Sequence, residues 1–442
     1  MRIQILQVNK KYLLRTNKDT NSGYGTVNDF GKGLVASLLK YFKNGTMNFP
    51  ELLPAYLNAI LTQQGNQVTF SKHHPDSSAE IIIIQTSITN FNEELQMADE
   101  IKTTHPDIKV GFMGGISSAI PERYEDKGDF VVRGEPENAL LNGNIGDFSG
   151  IVDGGQVEDL DRLPFPNWSH IRNWHDRYGF VRANRGRFIP VLSSRGCPMS
   201  CRYYCTYPLV QGAHFRARSP ENVIEEMIYL QQKFGMTTVL FRDPIFSLDM
   251  DRIESICDLI LEKGLKFSWL CETHPRLLTP DLIALMAKAG CVAIKFGIES
   301  GNLDVMKKSH RASANLENQE RIIRSCEQNQ IDVLGFYILG YFDDTEDTIW
   351  QTIKYAQKLN TFGAQFTIAT PYPGTQWYQD LKQQPDIYQL EEDFEQYTQY
   401  QLVYNHPHLT YADLERLKSM AYQRYYLRPA YIAKHLRKIL RQ

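Results

Sequence analysis

The sequence predicts an α/β protein with an N-terminal Rossmann- or flavodoxin-like parallel-sheet domain, a partial (β/α)6 barrel of TIM type, and a small helical C-terminal region. Three observations predict it. Apolar segments alternate with helical patterns over residues 1–145, and again from Ile189 onward. Many of these segments are apolar at nearly every position, the mark of strands buried on both faces of a parallel sheet. The second alternation holds six strand–helix repeats, two short of the eight in a closed barrel.

In the first domain, 1–145, the strands are RIQILQV (2–8), QVTF (67–70), EIIIIQT (80–86), KVGFM (109–113) and DFVVR (129–133). Helical patterns run through Phe49–Gln64 and Phe91–Thr104. Ligands in such domains bind beyond the carboxyl ends of strands. Gly114-Gly115 and Gly134-Glu135 stand there, although a tight turn that needs glycine explains each pair as well. The polar, glycine-bearing segment 10–33 is long for a connection, and such loops are functional or disordered. Residues 146–188 form a connector, with DLDRLPFPNWS (159–169) as an extended crossing. The arginines of HIRNWHDRYGFVRANRGRF then read as a solvated or interdomain face, or as the lining of an anionic site.

The second domain, 189–385, has strands at 189–194, 238–242, 266–271, 292–298, 332–338 and 364–369. Helical patterns lie at 220–234, 250–263, 279–289, 315–329 and 344–359. Ser219-Pro220 and Thr279-Pro280 place a cap before a proline at the first helical position. The tail, 386–442, is helical, tyrosine-rich and basic at its end.

Composition narrows the function. With 442 residues, 42% hydrophobic and 22% charged, the chain suits a soluble protein of two large domains. A formal net charge of -3 gives no footprint for nucleic acid. No apolar run nears the roughly 20 residues of a membrane span, and MRIQILQVNKKYLL lacks signal-peptide features. The expectation is cytoplasmic. Seven cysteines are too few, and odd, for a disulfide framework. Cys257, Cys271, Cys291 and Cys326 are scattered through strand and helix patterns and read as core thiols.

The other three, Cys197, Cys201 and Cys205, fall in SSRGCPMSCRYYCTYP (193–208), directly after the first strand of the second domain. Thiols this close in one strand-to-helix loop can face one centre. A [4Fe–4S] cluster has four irons to ligate, so three cysteines leave one iron open to an exogenous ligand. A structural zinc site closes with four protein ligands, commonly from C-x2-C pairs that this loop lacks. Three unrelated thiols would be an oxidation liability.

This loop resembles the C-x3-C-x-aromatic-C signature of the radical S-adenosylmethionine (SAM) superfamily, with Tyr204 as the aromatic residue. The similarity extends to FRDPIFSLD (241–249), KFGIESG (295–301), FYILGYFDDT (336–345), TPYPGT (370–375), LPFPNWS (163–169) and YYLRPAYI (425–432), segments like those of the cobalamin-domain branch. The resemblance implies a six-unit partial barrel, a cluster that binds SAM through its open iron, and reductive cleavage of SAM to a 5′-deoxyadenosyl radical. It implies SAM contacts by Glu299 and Ser300, with Asp243 at the amino end. The spacing departs in one respect: three residues, Arg202, Tyr203 and Tyr204, separate the last two cysteines, where the family has two. One added residue displaces a side chain by up to about 3.5 Å, which a small bulge absorbs. This C-x3-C-x3-C spacing is similar to that of the aminoglycoside radical SAM 1,2-diol dehydratases.

PELLPAYLNAIL (50–61), MGGISSA (113–119) and VVRGEPE (131–137) resemble the branch's cobalamin-binding domain, with Gly114 and Gly115 placed for the nucleotide tail. No D-x-H-x-x-G motif supplies a histidine to cobalt. Cobalamin is therefore a candidate cofactor rather than an implied one. Two activities follow. One is cobalamin-dependent C-methylation of a small-molecule intermediate. The other is dehydration of an aminoglycoside-like sugar diol without cobalamin, for which Tyr203, Tyr337, Asp343 and Asp344 are proton-transfer candidates. Either needs an external electron donor, a flavodoxin, ferredoxin or dedicated reductase.

Overall fold

A computed structural model describes residues 1–9, 17–27, 29–33, 36–38, 50–170, 188–311 and 315–439. Residues 10–16 of the long polar segment, Phe49 of the first helical pattern and 171–187 of the arginine-rich stretch lie outside them.

The first sheet contains β1 (Arg2–Gln7), β2 (Gln67–Lys72), β3 (Ile81–Gln85), β4 (Lys109–Met113), β5 (Phe130–Gly134) and β6 (Gly150–Gly155). All pairings are parallel, in the order β2-β1-β3-β4-β5-β6. Ile81–Ile84 are buried on both faces, as an unbroken apolar run requires. The winding reverses between β1 and β3, so their carboxyl ends form a switch-point crevice. β6 lies within the segment read as connector. Its sequence GIVDGG is half glycine, and glycine weakens a strand signal that only pairing with β5 restores.

The second sheet consists of β7 (Phe188–Val191), β10 (Thr238–Phe241), β11 (Ser268–Thr273), β12 (Cys291–Glu299), β13 (Asp332–Leu339) and β14 (Gly363–Ile368). These are the six predicted strands, all parallel and in simple succession from β7 to β14. A short antiparallel ribbon, β8 (Ser194–Arg195) with β9 (Arg216–Ala217), leaves the end of β7. The predicted caps form: Ser219 accepts from the Asn222 N–H, and Thr279 from the Leu282 N–H.

An unclosed barrel exposes an edge strand, a liability for any sheet. Here tyrosines of the helix Tyr411–Tyr426 cover β14. The Tyr422 hydroxyl accepts from the Phe366 N–H at 3.0 Å and donates to the Phe366 carbonyl at 3.1 Å. Tyr426 does the same for Ala364, at 2.9 Å each way. In the next helix Tyr431 donates to the Phe362 carbonyl at 2.7 Å. The tyrosine-rich tail thus stands in for a seventh strand, reaching every second residue because backbone groups on one edge recur with period two.

Tyr337 tests the same layer in the opposite sense. It is fully buried and stacked on Phe366, and its hydroxyl has no partner among the described residues. Tyr422→Phe should therefore lower unfolding free energy by about 1–3 kcal/mol, by orphaning a buried N–H and C=O. Tyr337→Phe should be neutral or stabilising. Urea denaturation of both variants checks this.

Candidate functional site

Two glycines let the cysteine loop leave the barrel. The ribbon pairs Ser194 with Ala217 and Arg195 with Arg216, closing the base of the loop 196–215. Gly196 follows at φ +81°, where any Cβ would strike the His214 carbonyl. The Cys197 N–H then donates to the Gly212 carbonyl at 3.1 Å. Ser200–Tyr203 form one turn of 3₁₀ helix, and the Cys205 N–H returns to the Cys201 carbonyl at 3.0 Å. The added residue is absorbed by this turn rather than by a bulge. Spacing of four within a helical turn brings Cys201 and Cys205 to the same side.

Cys197, Met199, Cys201 and Ile245 form one buried apolar cluster, with Tyr204, Cys205, Leu248 and Leu277 packed against it. Burial pushes the Cys197 thiol up to about 11. The Cys205 thiol, donating to Cys201, holds Cys201 down at about 6 against its burial, and Arg311 assists. Three cysteine thiols gathered in one apolar cluster are the ligand type that iron–sulfur clusters use.

The far side of this cluster is polar. Arg311 donates to Cys201 Sγ at 3.7 Å and to the Gly297 carbonyl at 2.8 Å, and lies 3.4 Å from Glu299. Glu299 ends β12 in a left-handed conformation at φ +69°, a strained choice for a non-glycine residue. Burial raises its carboxyl. The Tyr341 hydroxyl lies 3.5 Å from the Glu299 carboxylate and 3.3 Å from the Tyr204 hydroxyl, within reach of either. Cys201, Arg311, Glu299, Tyr341 and Tyr204 thus form one connected group.

Beneath the loop, Asp243 ties the exit of β10 to that of β7. It is buried, and accepts from Ser193 N at 2.7 Å, Ser193 Oγ at 2.5 Å and Ser194 Oγ at 2.8 Å. With its oxygens so engaged, it orients the start of the cysteine loop. Inside the barrel an apolar layer of Leu240, Leu270 and Ala293 closes the base. Two residues further along the same strands come Arg242, Glu272 and Lys295. Arg242 reaches Glu272 at 3.1 Å and Lys295 reaches it at 2.8 Å.

Between the two sheets lies an open cavity at the switch point. Leu52, Leu53, Tyr56, Leu192 and Val210 give it a broad apolar wall, the surface a flat macrocycle needs. Gly114 and Gly115 line it, but a Cβ on either would meet Thr86, Ser22 or Gly23. Gly114 is held to glycine by Thr86 at the end of β3, and Gly115 by the close seating of Ser22 and Gly23 on the end of β4. That part of the long polar segment is therefore a wall of the cavity. None of the described lining residues is a histidine.

Four buried charges join the cysteine loop to the first domain. Arg195 contacts Glu135 at 3.1 Å and Glu137 at 2.7 Å, and Arg216 contacts Glu135 at 2.7 Å. Burial would raise the Glu135 carboxyl, but the Arg195 and Arg216 guanidiniums hold it below its usual 4.5.

Several expected site residues lie elsewhere. Tyr337 faces the outer helices, because Val333, Tyr337 and Leu339 share the outward face of β13 and pack in the core beneath the tyrosine-rich tail. Asp343 forms a surface pair with Lys308 at 2.9 Å, and Asp344 caps a turn through the Gly340 and Tyr341 N–H groups. Tyr203 turns outward to donate to Asp380 at 3.0 Å and packs on His310. Ser300 is fully buried, its hydroxyl against Thr352 Oγ1 at 2.9 Å and accepting from Asn302 N. Sequence reasoning missed Arg311, Tyr341 and the Arg242–Glu272–Lys295 layer. Strand register would have found the last: a charge every second residue beyond an apolar position on neighbouring strands marks one inward face.

The family model of the radical SAM superfamily matches residues 191–356. The chain carries a radical SAM domain. It is 30% identical over 280 residues to an uncharacterized methyltransferase of Pyrococcus horikoshii, covering 63% of this chain and 59% of that protein. It is 24% identical over 317 residues to the bacteriochlorophyllide d C-12(1)-methyltransferase of Chlorobaculum tepidum, covering 69% and 66%. The match thus spans somewhat less than two thirds of these two curated relatives. In fold it is similar to the radical SAM methyltransferase TsrM of Kitasatospora setae, solved with cobalamin and a [4Fe-4S] cluster bound (TM-score 0.65, 15% identity, 94% of this chain and 90% of that one). It is also similar to the cobalamin-dependent SAM radical enzyme OxsB with aqua-cobalamin and SAM bound (TM-score 0.67, 12% identity, 95% and 66%). The N-terminal parallel sheet and six-stranded partial barrel are the architecture of these proteins.

Glu135→Gln should destabilise the protein by roughly 3–5 kcal/mol, because two guanidiniums stay buried with one carboxylate. A carboxyl held low when folded adds stability above pH 4.5 that is lost as pH falls through its lower folded value. The variant should lack that acid-side slope in denaturation measured across pH 3–6.

Proposed function

We propose that this chain is a radical SAM enzyme that methylates carbon in a small-molecule intermediate. In this reading Cys197, Cys201 and Cys205 hold a [4Fe–4S] cluster, and a corrinoid occupies the cavity between the sheets. The observation that carries it is that one stretch of chain serves both places. Leu192, Arg195, Tyr207, Val210 and Gln211 line the cavity, and the three cysteines lie among them in the loop.

When bound, the cluster and SAM would supply a 5′-deoxyadenosyl radical by reductive cleavage of the sulfonium, and the corrinoid would carry the methyl group. The chain's own groups orient and shield. Asp243 and the β8–β9 ribbon set the loop, Arg311 fixes Cys201 relative to Glu299, and Tyr204 and Tyr341 cover that carboxylate. Glu299, buried and strained beside the thiols, would contact SAM in this reading. The apolar floor under Arg242, Glu272 and Lys295 closes the barrel's base to water, as radical chemistry requires.

Methyl transfer is preferred to dehydration on two grounds. The relatives carry methyltransferase names, and the proton donors a dehydration would need point away from the thiols or into surface pairs. The reaction still needs an external electron donor. Among the described residues no helix is long and apolar enough to cross a membrane.

The first test is anaerobic reconstitution with iron and sulfide, then a visible spectrum before and after hydroxocobalamin addition and desalting. Expected are cluster absorption, corrin near one per chain, and 5′-deoxyadenosine from SAM under reduction. Cys197→Ala, Cys201→Ala and Cys205→Ala should each abolish cluster absorption while retaining corrin. Cluster without retained corrin would overturn the corrinoid reading. No cluster and no 5′-deoxyadenosine would overturn the radical SAM reading.

A further inference from the structure

The cavity wall at residues 20–25 holds a conformation that the chain would not choose alone. Asn21, Ser22 and Gly23 follow one another at φ +50°, +54° and +87°. Gly23 suits a left-handed conformation; asparagine tolerates it and serine rarely adopts it. Such strain persists only where the surroundings over-determine it, and here they do. The Gly23 and Gly25 N–H groups donate to the Thr20 carbonyl at 3.0 and 2.9 Å. Asn21 donates to the Tyr372 hydroxyl at 3.1 Å, accepts from Gln399 at 2.6 Å, and its carbonyl accepts from Thr206 at 2.9 Å. Gly23 lies back to back with Gly115.

Among the described residues, one buried side-chain polar atom of this turn has no partner. It is the hydroxyl of Ser22, a residue only 6% exposed that lines the cavity; among the described residues this hydroxyl has no hydrogen-bond partner. Other buried serines nearby are matched: Ser87 with Glu94, Ser117 with Thr86, Ser193 with Asp243. An unmatched buried hydroxyl in a native protein calls for an explanation. Strain and an orphan donor coincide at one residue, on the wall of a cavity.

We propose that the Ser22 hydroxyl is a hydrogen-bonding point for a neutral, amide-bearing group of the ligand that fills this cavity, a peripheral carboxamide of the corrin. This rests on the corrinoid reading above. The chemistry favours a neutral partner. The cations lining the cavity are already matched, Lys18 by Glu94, Arg195 by Glu135 and Glu137, and Arg242 by Glu272, and Asp19 accepts from the Leu52 N–H. A hydroxyl both donates and accepts, as a primary carboxamide does. The residue binds; it takes no part in bond-making.

The test uses the full chain and hydroxocobalamin, titrated by visible absorbance, with thermal unfolding of the corrin-free protein as a second readout. Ser22→Ala removes the hydroxyl; Ser22→Gly removes it and relaxes the backbone at φ +54°. Both variants should raise the corrin Kd about tenfold, the loss expected for one hydrogen bond. Corrin-free melting temperature should be little changed in Ser22→Ala and unchanged or raised in Ser22→Gly. Equal binding by wild type and both variants would overturn this inference alone. Weakened binding in Ser22→Ala but not Ser22→Gly would assign the effect to the backbone and overturn it too. A melting temperature lowered in both corrin-free variants would mean that the hydroxyl has a protein partner, which likewise overturns it. Failure of the wild type to retain corrin would overturn the corrinoid reading and this inference with it.

Discussion

The buried contact of Arg195 and Arg216 with Glu135 and Glu137 is the constraint on which the rest of the site depends. Glu135 and Glu137 follow β5 of the first sheet; Arg195 and Arg216 form the facing pair of the β8–β9 ribbon at the base of the cysteine loop. Removing four charges from water is costly, and a hydrophobic replacement would often be as stable. What the ion group adds is direction. Apolar packing would let the loop slide over the first domain. Guanidinium–carboxylate contacts of 2.7–3.1 Å do not. The cavity and the thiols are thereby held in one register.

From that anchor the site is built in shells of decreasing polarity. Asp243 gathers the backbone and hydroxyl of Ser193 and the hydroxyl of Ser194, so the loop leaves β7 in one direction. The thiols then sit in an apolar cluster, where burial disfavours free thiolates and Arg311 is the nearest compensating cation. The left-handed Glu299 can hold its strained backbone because Arg311 and Tyr341 fix its carboxylate. On the opposite side of the barrel, the tail's tyrosine hydroxyls satisfy the free edge of β14. The barrel can thus stay open without offering an edge for aggregation.

Much of this was legible in the chain. The strand-and-helix alternation found both sheets, because parallel strands buried on two faces are apolar at nearly every position. The caps at Ser219 and Thr279 formed where the sequence places them. The connector strand β6 was missed because half its residues are glycine, and only its neighbour makes it a strand. The proton-donor candidates misled for a different reason. Tyr337 and Asp343 stand beside recognisable segments, but position along the chain does not say which face of a strand a side chain takes, or which surface lysine it meets.

What the sequence determined by itself is local: the order of elements, the three closely spaced thiols, and the absence of a fourth cysteine near them. These depend on spacing and residue type, which tertiary structure cannot change. Only the tertiary structure decided which charges meet. Arg311 lies 110 residues from Cys201, and Arg195 lies 58 from Glu137; no local pattern encodes such a pairing. It also showed why Gly115 must be glycine and where the strained Ser22 sits, since two distant segments pack there backbone against backbone. The reason is physical: periodicity and propensity act within a few residues, whereas burial, charge pairing and strain are properties of the assembled interior.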